Sequence, residues 1–233
     1  MDDDKHATET AFAARAVKAQ AVWTVRGEDG LGRVASPTRR GAEVNLFWSS
    51  AEEAARWADV VCKAPQVKSL TLGELYVDVL PRLAELNRLV GPDWGSDPTE
   101  PELEPAELVG LLREAAVAQF VAEAIRGGKI WVLQGLDGPV RLVSRNRPDA
   151  LMLPCWSDRV SAEKRIEGPL SEAVAAPIPV GVFLDRTLMW IAETRLLVAP
   201  AYCEGQGGVE LTAPEIKGRL RRALTEARRP AAA

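Results

Sequence analysis

Histidine is almost absent from this chain. The single imidazole belongs to His6, in an acidic stretch that we expect to be disordered. Most zinc sites, and Ser-His or Cys-His catalysis, need an imidazole held within a folded site. The sequence therefore argues against these classes, and it predicts neither a metal site nor catalytic residues of this kind.

Cysteine is scarce as well. Cys62, Cys155 and Cys203 form neither an even-numbered disulfide framework nor a closely spaced pair of metal ligands. Cys155 occupies an apolar position, so we predict that it is a small buried side chain rather than a nucleophile.

Long apolar runs and a strong net charge are also missing. The sequence has no stretch of roughly 18 apolar residues that could cross a membrane, and residues 1–6 lack the apolar core of a secretory signal. A formal net charge of −4 gives no general attraction to nucleic acid or anionic lipid. We therefore expect a cytoplasmic location, no nucleic-acid or membrane partner, and no cofactor.

What the sequence does contain is an internal repeat. Phe47-Trp48-Ser49 returns as Cys155-Trp156-Ser157, an offset of 156 − 48 = 108 residues. An ungapped repeat of this length predicts two copies of one fold. We place the first domain at residues 8–113 and the second at 114–226, with disordered tails at 1–7 and 227–233. The same offset relates Phe12 to Phe120, Trp23 to Trp131, Ser36 to Ser144, Leu80 to Leu188, Pro92 to Pro200 and Glu102 to Glu210.

Both copies show the same predicted order of elements. A helix is followed by a β-hairpin, a strand that ends in the Trp-Ser pair, a capped helix, a further strand, a helix over 73–86 or 181–193, and a last strand. No proline interrupts residues 106–125, which predicts a helix running from one copy into the next. The pattern predicts an α+β fold of two homologous tandem domains. Each would be a small, mostly antiparallel sheet packed by helices, and a pseudo-twofold axis would relate them.

Several motifs carry a resemblance to a known family. Leu80-Pro81-Arg82-Leu83, Val90-Gly91-Pro92-Asp93-Trp94 and the two Trp-Ser motifs resemble the bacterial family catalogued as domain of unknown function 2750. Members usually have one such domain, and this chain is similar to two fused together. The second copy departs from the pattern at Val198-Ala199-Pro200-Ala201-Tyr202, which implies that it has lost any function carried there. The resemblance implies no particular activity.

Aromatic residues are the main candidates for a binding site. Trp23 with Trp48, and Trp131 with Trp156, are predicted to be core pairs on adjacent strands; alternatively, their indole N–H groups line a groove for a peptide or small ligand. Trp94 and Tyr202 lie near proline-rich turns and are the candidates for exposure. The predicted ligand- or partner-binding residues are Trp48, Trp94, Trp156 and Tyr202.

For function we expect a non-enzymatic protein-interaction or binding module of the bacterial cytoplasm. Its partner would be an unidentified protein or small ligand, and the fused pair would be a pseudo-dimer within one chain, existing as a monomer or weak homodimer. One alternative is a carboxylate-based hydrolase or transferase that uses Glu85 or Glu102. Another is a small-ligand sensor with a cavity beside Trp48 or Trp94.

Overall fold

A computed structural model describes residues 2–95, 100–144, 147–202 and 209–229. The chain divides into two compact units, Met1–Ala115 and Ala116–Ala233. Each unit combines helices with one or two small sheets, so the predicted α+β class is confirmed. Cys203 lies outside the described residues.

The first unit contains the elements of one repeat in the predicted order. The junction is a single helix that begins in the first unit and ends in the second, as predicted. The elements are α1 (Asp2–Ala19), β1 (Ala21–Gly27), β2 (Gly30–Leu31), β3 (Arg33–Ala35), β4 (Glu43–Phe47), α2 (Ala51–Val61), β5 (Gln66–Thr71), α3 (Leu72–Glu74), α4 (Leu80–Glu85), β6 (Leu89–Pro92) and the first part of α5 (Pro105–Gly127).

Two short sheets hold the strands of this unit. One has the order β2-β1-β5 and is antiparallel. The other has the order β3-β4-β6, in which β4 and β6 run parallel. Trp23 and Trp48 exchange backbone hydrogen bonds of 2.8 and 2.7 Å, which join β1 to the end of β4. In the described sheets β5 is an edge strand, because it pairs with β1 alone.

The predicted helix cap at the start of α2 is confirmed. The Ser50 hydroxyl accepts a hydrogen bond from the Glu53 N–H at 3.2 Å, which satisfies one of the donors left free in a first helical turn. Trp57, Ala58 and Val61 on one side of α2 then pack against the core around Trp48.

The helix predicted over 73–86 differs from the observed one. A π-helical turn, Leu75–Val79, separates α3 from α4, and the Leu80 N–H donates to the Leu75 carbonyl five residues earlier. The second unit has the same turn at Phe183–Thr187. Such a turn inserts one extra residue without changing the apolar character of the segment, so the sequence pattern gives no sign of it.

The second unit repeats this order. Its strands form one sheet, β11-β7-β10-β12, with β10 and β12 parallel. The predicted further strand is present as Val174–Pro179, and it ends there because Val180 begins a helix. The elements are the rest of α5, then β7 (Lys129–Gly135), β8 (Gly138–Pro139), β9 (Leu142–Val143), β10 (Leu151–Trp156), α6 (Arg159–Glu163), a 3-10 turn (Gly168–Leu170), β11 (Val174–Pro179), α7 (Val180–Val182), α8 (Leu188–Glu193), β12 (Leu197–Pro200) and α9 (Ala213–Ala227).

The repeated positions supply the interior of both units. Burial of apolar side chains is the main favourable term in folding, so positions retained in both copies are expected there. Five matched pairs, none with a residue more than 3% exposed, are Phe12 and Phe120, Phe47 and Cys155, Trp48 and Trp156, Leu80 and Leu188, and Val90 and Val198.

The first helix begins within the stretch 1–7, for which the sequence predicts a tail. Helix α1 begins at Asp2 rather than near Thr8. At the other end α9 stops at Ala227, where the second tail was predicted to begin. Within the described part of the chain, no helix has both the length and the apolar character needed to cross a bilayer.

Candidate functional site

The candidate site of the first unit lies where two parallel strands end. Because β4 and β6 pair in parallel, with Phe47 opposite Pro92, the residues that follow them meet at one edge of the sheet. Those residues are Trp48-Ser49 and Asp93-Trp94. We call this group, together with Arg15 of α1, the first corner.

The tryptophans of the first corner form a buried latch. The Trp48 indole N–H donates to the Trp94 carbonyl at 2.9 Å, and the Trp94 indole N–H donates to the Pro101 carbonyl at 2.7 Å. Trp57 packs against both rings, with centroids 6.2 and 6.3 Å away. Both indole donors are therefore used within the fold and are not free to bind a ligand.

The predicted exposure of Trp94 is wrong. Its side chain is 5% exposed, and that of Trp48 is 1% exposed. The chain after Trp94 returns to the sheet, where Leu103 bridges to Val90, and this return places the Pro101 carbonyl over the indole. The prediction that Trp48 is a core residue paired with Trp23 on a neighbouring strand is confirmed.

A polar group lies beside this latch. Asp93 accepts hydrogen bonds from the Ser49 N–H at 2.6 Å, the Ser49 hydroxyl at 2.9 Å and the Arg15 Nη2 atom at 2.6 Å. The Arg15 Nε atom also donates to the Ser49 hydroxyl oxygen at 2.8 Å. The carboxylate side chain is only 11% exposed, whereas the Arg15 side chain is 54% exposed. The arrangement holds one cationic side chain in a fixed position at the surface.

The second unit keeps the first hydrogen bond of the latch and changes the polar group. The Trp156 indole donates to the Tyr202 carbonyl at 2.8 Å, which repeats the bond between Trp48 and Trp94. At the place of Arg15 stands Glu123, which accepts a hydrogen bond from the Ser157 hydroxyl at 2.6 Å. Ala201 stands where the first copy has Asp93, with the same left-handed backbone (φ of 51° and 48°).

Trp156 and Tyr202 are thus placed together, as the repeat suggested. Trp156 is 3% exposed and Tyr202 is half-buried. Both copies keep a buried tryptophan that donates to a main-chain carbonyl, whereas the exposed guanidinium of Arg15 is replaced by the half-buried carboxylate of Glu123.

The glutamates proposed for acid–base chemistry are held in separate settings. Glu102 accepts hydrogen bonds from the Ser36 hydroxyl at 2.8 Å and the Thr38 hydroxyl at 2.6 Å, which fastens the loop after β3 to the segment before α5. Glu85 pairs instead with Arg82 on the surface of α4, at 2.8 Å. The two carboxylates therefore have different partners and different roles, and each has a structural one.

Two cavities of the first unit can be described, and neither is lined by Trp48 or Trp94. The smaller, of about 310 Å³, lies beside α4 and the start of α5. The larger, of about 550 Å³, lies between the β1–β2 turn and the end of α2, and Glu28, Arg33, Cys62 and Lys63 are among its lining residues.

Two residues whose pKa is shifted line the larger cavity. Burial and the charge of Asp29 raise the pKa of the Cys62 thiol, which disfavours the reactive thiolate. The Arg33 guanidinium, which donates to the Glu43 carboxylate, keeps the pKa of Glu43 low. Within the ranges that the structure describes, His, Cys, Asp and Glu nowhere form a group of three or more that could hold a metal ion.

Sequence reasoning missed Arg15 as a site residue. The repeat selects positions that both copies share, and Arg15 is replaced by Glu123 in the second copy. Selecting shared positions therefore cannot find a residue that differs between the copies. The signal that could have found Arg15 is a change of charge at one repeated position next to the unchanged Trp-Ser motif.

A family model described as a protein of unknown function (DUF2750) matches the chain twice, at residues 10–112 and 117–220. No curated protein matches the chain.

Two solved structures align with most of the chain but superpose loosely. Anabaena Tic22, described with protein transport, is 11% identical over 96% of this chain and 99% of its own, with a TM-score of 0.24. Tic22 from Plasmodium falciparum is 6% identical over 93% of this chain and 98% of its own, also with a TM-score of 0.24. Likeness at this level carries no argument about fold or function.

Proposed function

The chain belongs to the DUF2750 family through two tandem copies, and from this premise we propose that it is a non-enzymatic protein-interaction module. In this proposal the first corner presents Arg15 to an acidic group on a partner protein. The observation that carries the proposal is a guanidinium that is 54% exposed and yet fixed by Asp93 and Ser49. The cytoplasmic location predicted from the sequence is part of the proposal.

Fixing the side chain favours binding for an entropic reason. An arginine that is free in solvent loses rotamer freedom when it binds, which costs about 0.5–1.5 kcal/mol for a side chain of this kind. The bonds from Arg15 to Asp93 and Ser49 impose that order before any partner arrives. The planar guanidinium has five N–H donors and suits the bidentate geometry of a carboxylate.

The second copy supports the same interpretation by contrast. It retains the Trp156 latch and the serine, and it presents Glu123 instead of a cation. A duplicated domain that keeps the buried tryptophan and reverses the charge at one repeated position can prefer two different partners, because specificity depends on unfavourable as well as favourable contacts. An enzyme that uses Glu85 and Glu102 has no such support, since each carboxylate is held by other side chains.

One observation favours a second candidate, a small-ligand sensor. The cavity of about 550 Å³ in the first unit lies within the size range of small-molecule sites. A thermal-shift screen with common metabolites tests this candidate. A shift that Lys63→Glu abolishes would favour the sensor, and a flat screen would leave the interaction module as the better function.

Quantitative affinity purification tests the main proposal. The full chain is used as bait in three forms: wild type, Arg15→Gln and the control Arg56→Gln. Arg56 is an exposed arginine of α2 whose ion pairs with the described residues are those with its helix neighbours Glu52 and Glu53. We expect partners captured by the wild type and by Arg56→Gln to fall several-fold with Arg15→Gln, and to fall further as salt is raised.

The result that counts against the proposal is equally specific. Partners that bind Arg15→Gln as well as the wild type, while both proteins melt at the same temperature, would mean that the first corner does not bind them. An Asp93→Ala variant then shows whether the fixed position of Arg15 matters in addition to its charge. The variant keeps the cation but removes its ion-pair partner, so we expect a loss of partner capture between that of the wild type and that of Arg15→Gln.

A further inference from the structure

The outer edge of β5 is open in the first unit. Among the described strands β5 pairs with β1 alone, from Thr71 opposite Ala21 to Gln66 opposite Arg26. Five of its six residues are exposed, and the sixth, Leu70, is half-buried. An edge strand with free N–H and C=O groups is a template for pairing with another chain.

Hydrogen bonds on the far side of β1 fix which groups of β5 face outward. The Trp23 N–H donates to the Trp48 carbonyl at 2.8 Å, and the Trp23 carbonyl accepts from the Trp48 N–H at 2.7 Å. Neither group of Trp23 can therefore bond with Ser69, which lies opposite it in β5. In an antiparallel ladder the N–H and C=O groups of such a non-bonded pair point away from each other. The N–H and C=O of Ser69 therefore point away from β1, toward the open edge.

Val67 is placed in the same way. The carbonyl of Val25, opposite Val67, accepts a hydrogen bond from the Gly32 N–H at 2.6 Å and so faces away from β5. Val67 and Ser69 thus present their main-chain groups about 6.8 Å apart, the repeat expected for two residues of a strand. That spacing matches the ladder that an incoming strand would form.

The second unit supplies an internal comparison. At the offset of 108, Ser69 corresponds to Pro177 and Thr71 to Pro179, and both prolines lie in the edge strand β11. Proline has no N–H to donate, and its ring occupies the position from which the donor would act. This edge is therefore closed to an incoming strand at the point where the edge of β5 is open.

Pairing of β5 with a second copy of itself is disfavoured. If Val67 of one chain pairs with Ser69 of another, Lys68 stands directly opposite the second Lys68, and like charges at that spacing repel. If Ser69 instead pairs with Ser69, Val67 faces Thr71, whose N–H is already given to the Glu74 carboxylate at 2.7 Å. Neither register suits a homodimer.

Charge at this edge selects the partner. Lys68 is exposed and lies on the same face as Arg26, diagonally across the β1–β5 ladder. Neither side chain makes an ion pair with any other described residue. We infer that the β5 edge binds an extended acidic segment of a partner protein by strand addition, with an aspartate or glutamate opposite Lys68. This inference rests on the proposed function and adds the mode of binding.

Peptide selection on the full chain tests the inference. Random dodecapeptides displayed on phage are selected against the wild type, and an enriched peptide is then measured by fluorescence anisotropy. We expect enriched peptides to contain Asp or Glu within a run of β-forming residues. Ser69→Pro should weaken binding about ten-fold or more, because it removes a main-chain donor and blocks the edge.

A charge variant and a reciprocal variant complete the design. Lys68→Glu should lower the affinity for an acidic peptide by about 2- to 5-fold or more, because a cross-strand charge pair contributes a free energy of this size. Pro177→Ser reopens the corresponding edge of the second copy and leaves the first copy untouched, so the peptide should bind as the wild type does. Thermal melting shows whether each variant is folded. If Ser69→Pro does not fold, the affinity of Lys68→Glu for the peptide still tests the inference.

Three outcomes overturn the inference. The first is that no peptide is enriched, and the second is that the enriched peptide binds Ser69→Pro as tightly as the wild type. The third is a wild-type dimer in sedimentation analysis that Ser69→Pro dissolves, because the edge would then serve a second copy of this chain. If partners depend on Arg15 but not on Ser69, the proposed function stands and only the strand-addition mode fails.

Discussion

Replacing Trp48 with phenylalanine probes the buried latch of the first corner. The change keeps an aromatic ring on the strand and removes the N–H that donates to the Trp94 carbonyl at 2.9 Å. A buried carbonyl left without its donor costs about 1–3 kcal/mol, and the space left by the smaller ring adds on the order of 1 kcal/mol. We therefore expect the first unit to lose about 2–4 kcal/mol of unfolding free energy.

The matched control is Trp57→Phe. Trp57 packs against both rings of the latch, and its indole makes no hydrogen bond with the described residues. Urea unfolding followed by circular dichroism, with each transition fitted separately, compares the two variants. If Trp48→Phe destabilises the first unit no more than Trp57→Phe does, the latch contributes only packing and our account of the corner is wrong.

The remaining predictions concern other groups of the fold. A double-mutant cycle of Ser36→Ala and Glu102→Gln should give a coupling of about 1 kcal/mol in unfolding free energy. A coupling near zero would mean that the hydrogen bond of this pair does not stabilise the loop after β3. Burial raises the pKa of Tyr76 to about 12, above the usual value of about 10, so stability should be unaffected below about pH 10 and fall between about pH 10 and 12. Urea midpoints of the wild type and Tyr76→Phe across that range measure this loss, and identical profiles would contradict it. Cys155 should resist alkylation until the chain unfolds, whereas half-buried Cys62 should react in the folded protein, slowly because its raised pKa disfavours the thiolate, and peptide mass spectrometry distinguishes the two.

Local chemistry accounts for the features that the sequence predicted well. Ser50 ahead of an apolar-periodic segment indicates a helix cap whatever the rest of the chain does. The ungapped repeat also identified the interior, because residues such as Phe12 and Phe120 are buried in both units for the same reason. These predictions depended on neighbouring residues or on the comparison of two copies.

Contacts between distant residues account for what the sequence could not predict. Arg15 and Asp93 are 78 residues apart, and nothing in either segment indicates that they meet. The burial of Trp94 depends on the return of the chain at Pro101, and the π-helical turn at Leu75–Val79 leaves no mark on apolar periodicity. Which main-chain groups of β5 face its open edge follows only from hydrogen bonds made on the far side of β1.

Hydrogen exchange at β5, measured by NMR on the free full chain, tests whether the edge of this strand is open. We expect the protection to alternate: the amides of Lys68 and Leu70, which face β1, are protected, and those of Val67 and Ser69 exchange close to the unprotected rate. Adding a selected peptide should then protect Val67 and Ser69 alone. If both amides are already as protected as Lys68 in the free chain, the edge is covered and strand addition cannot be its function.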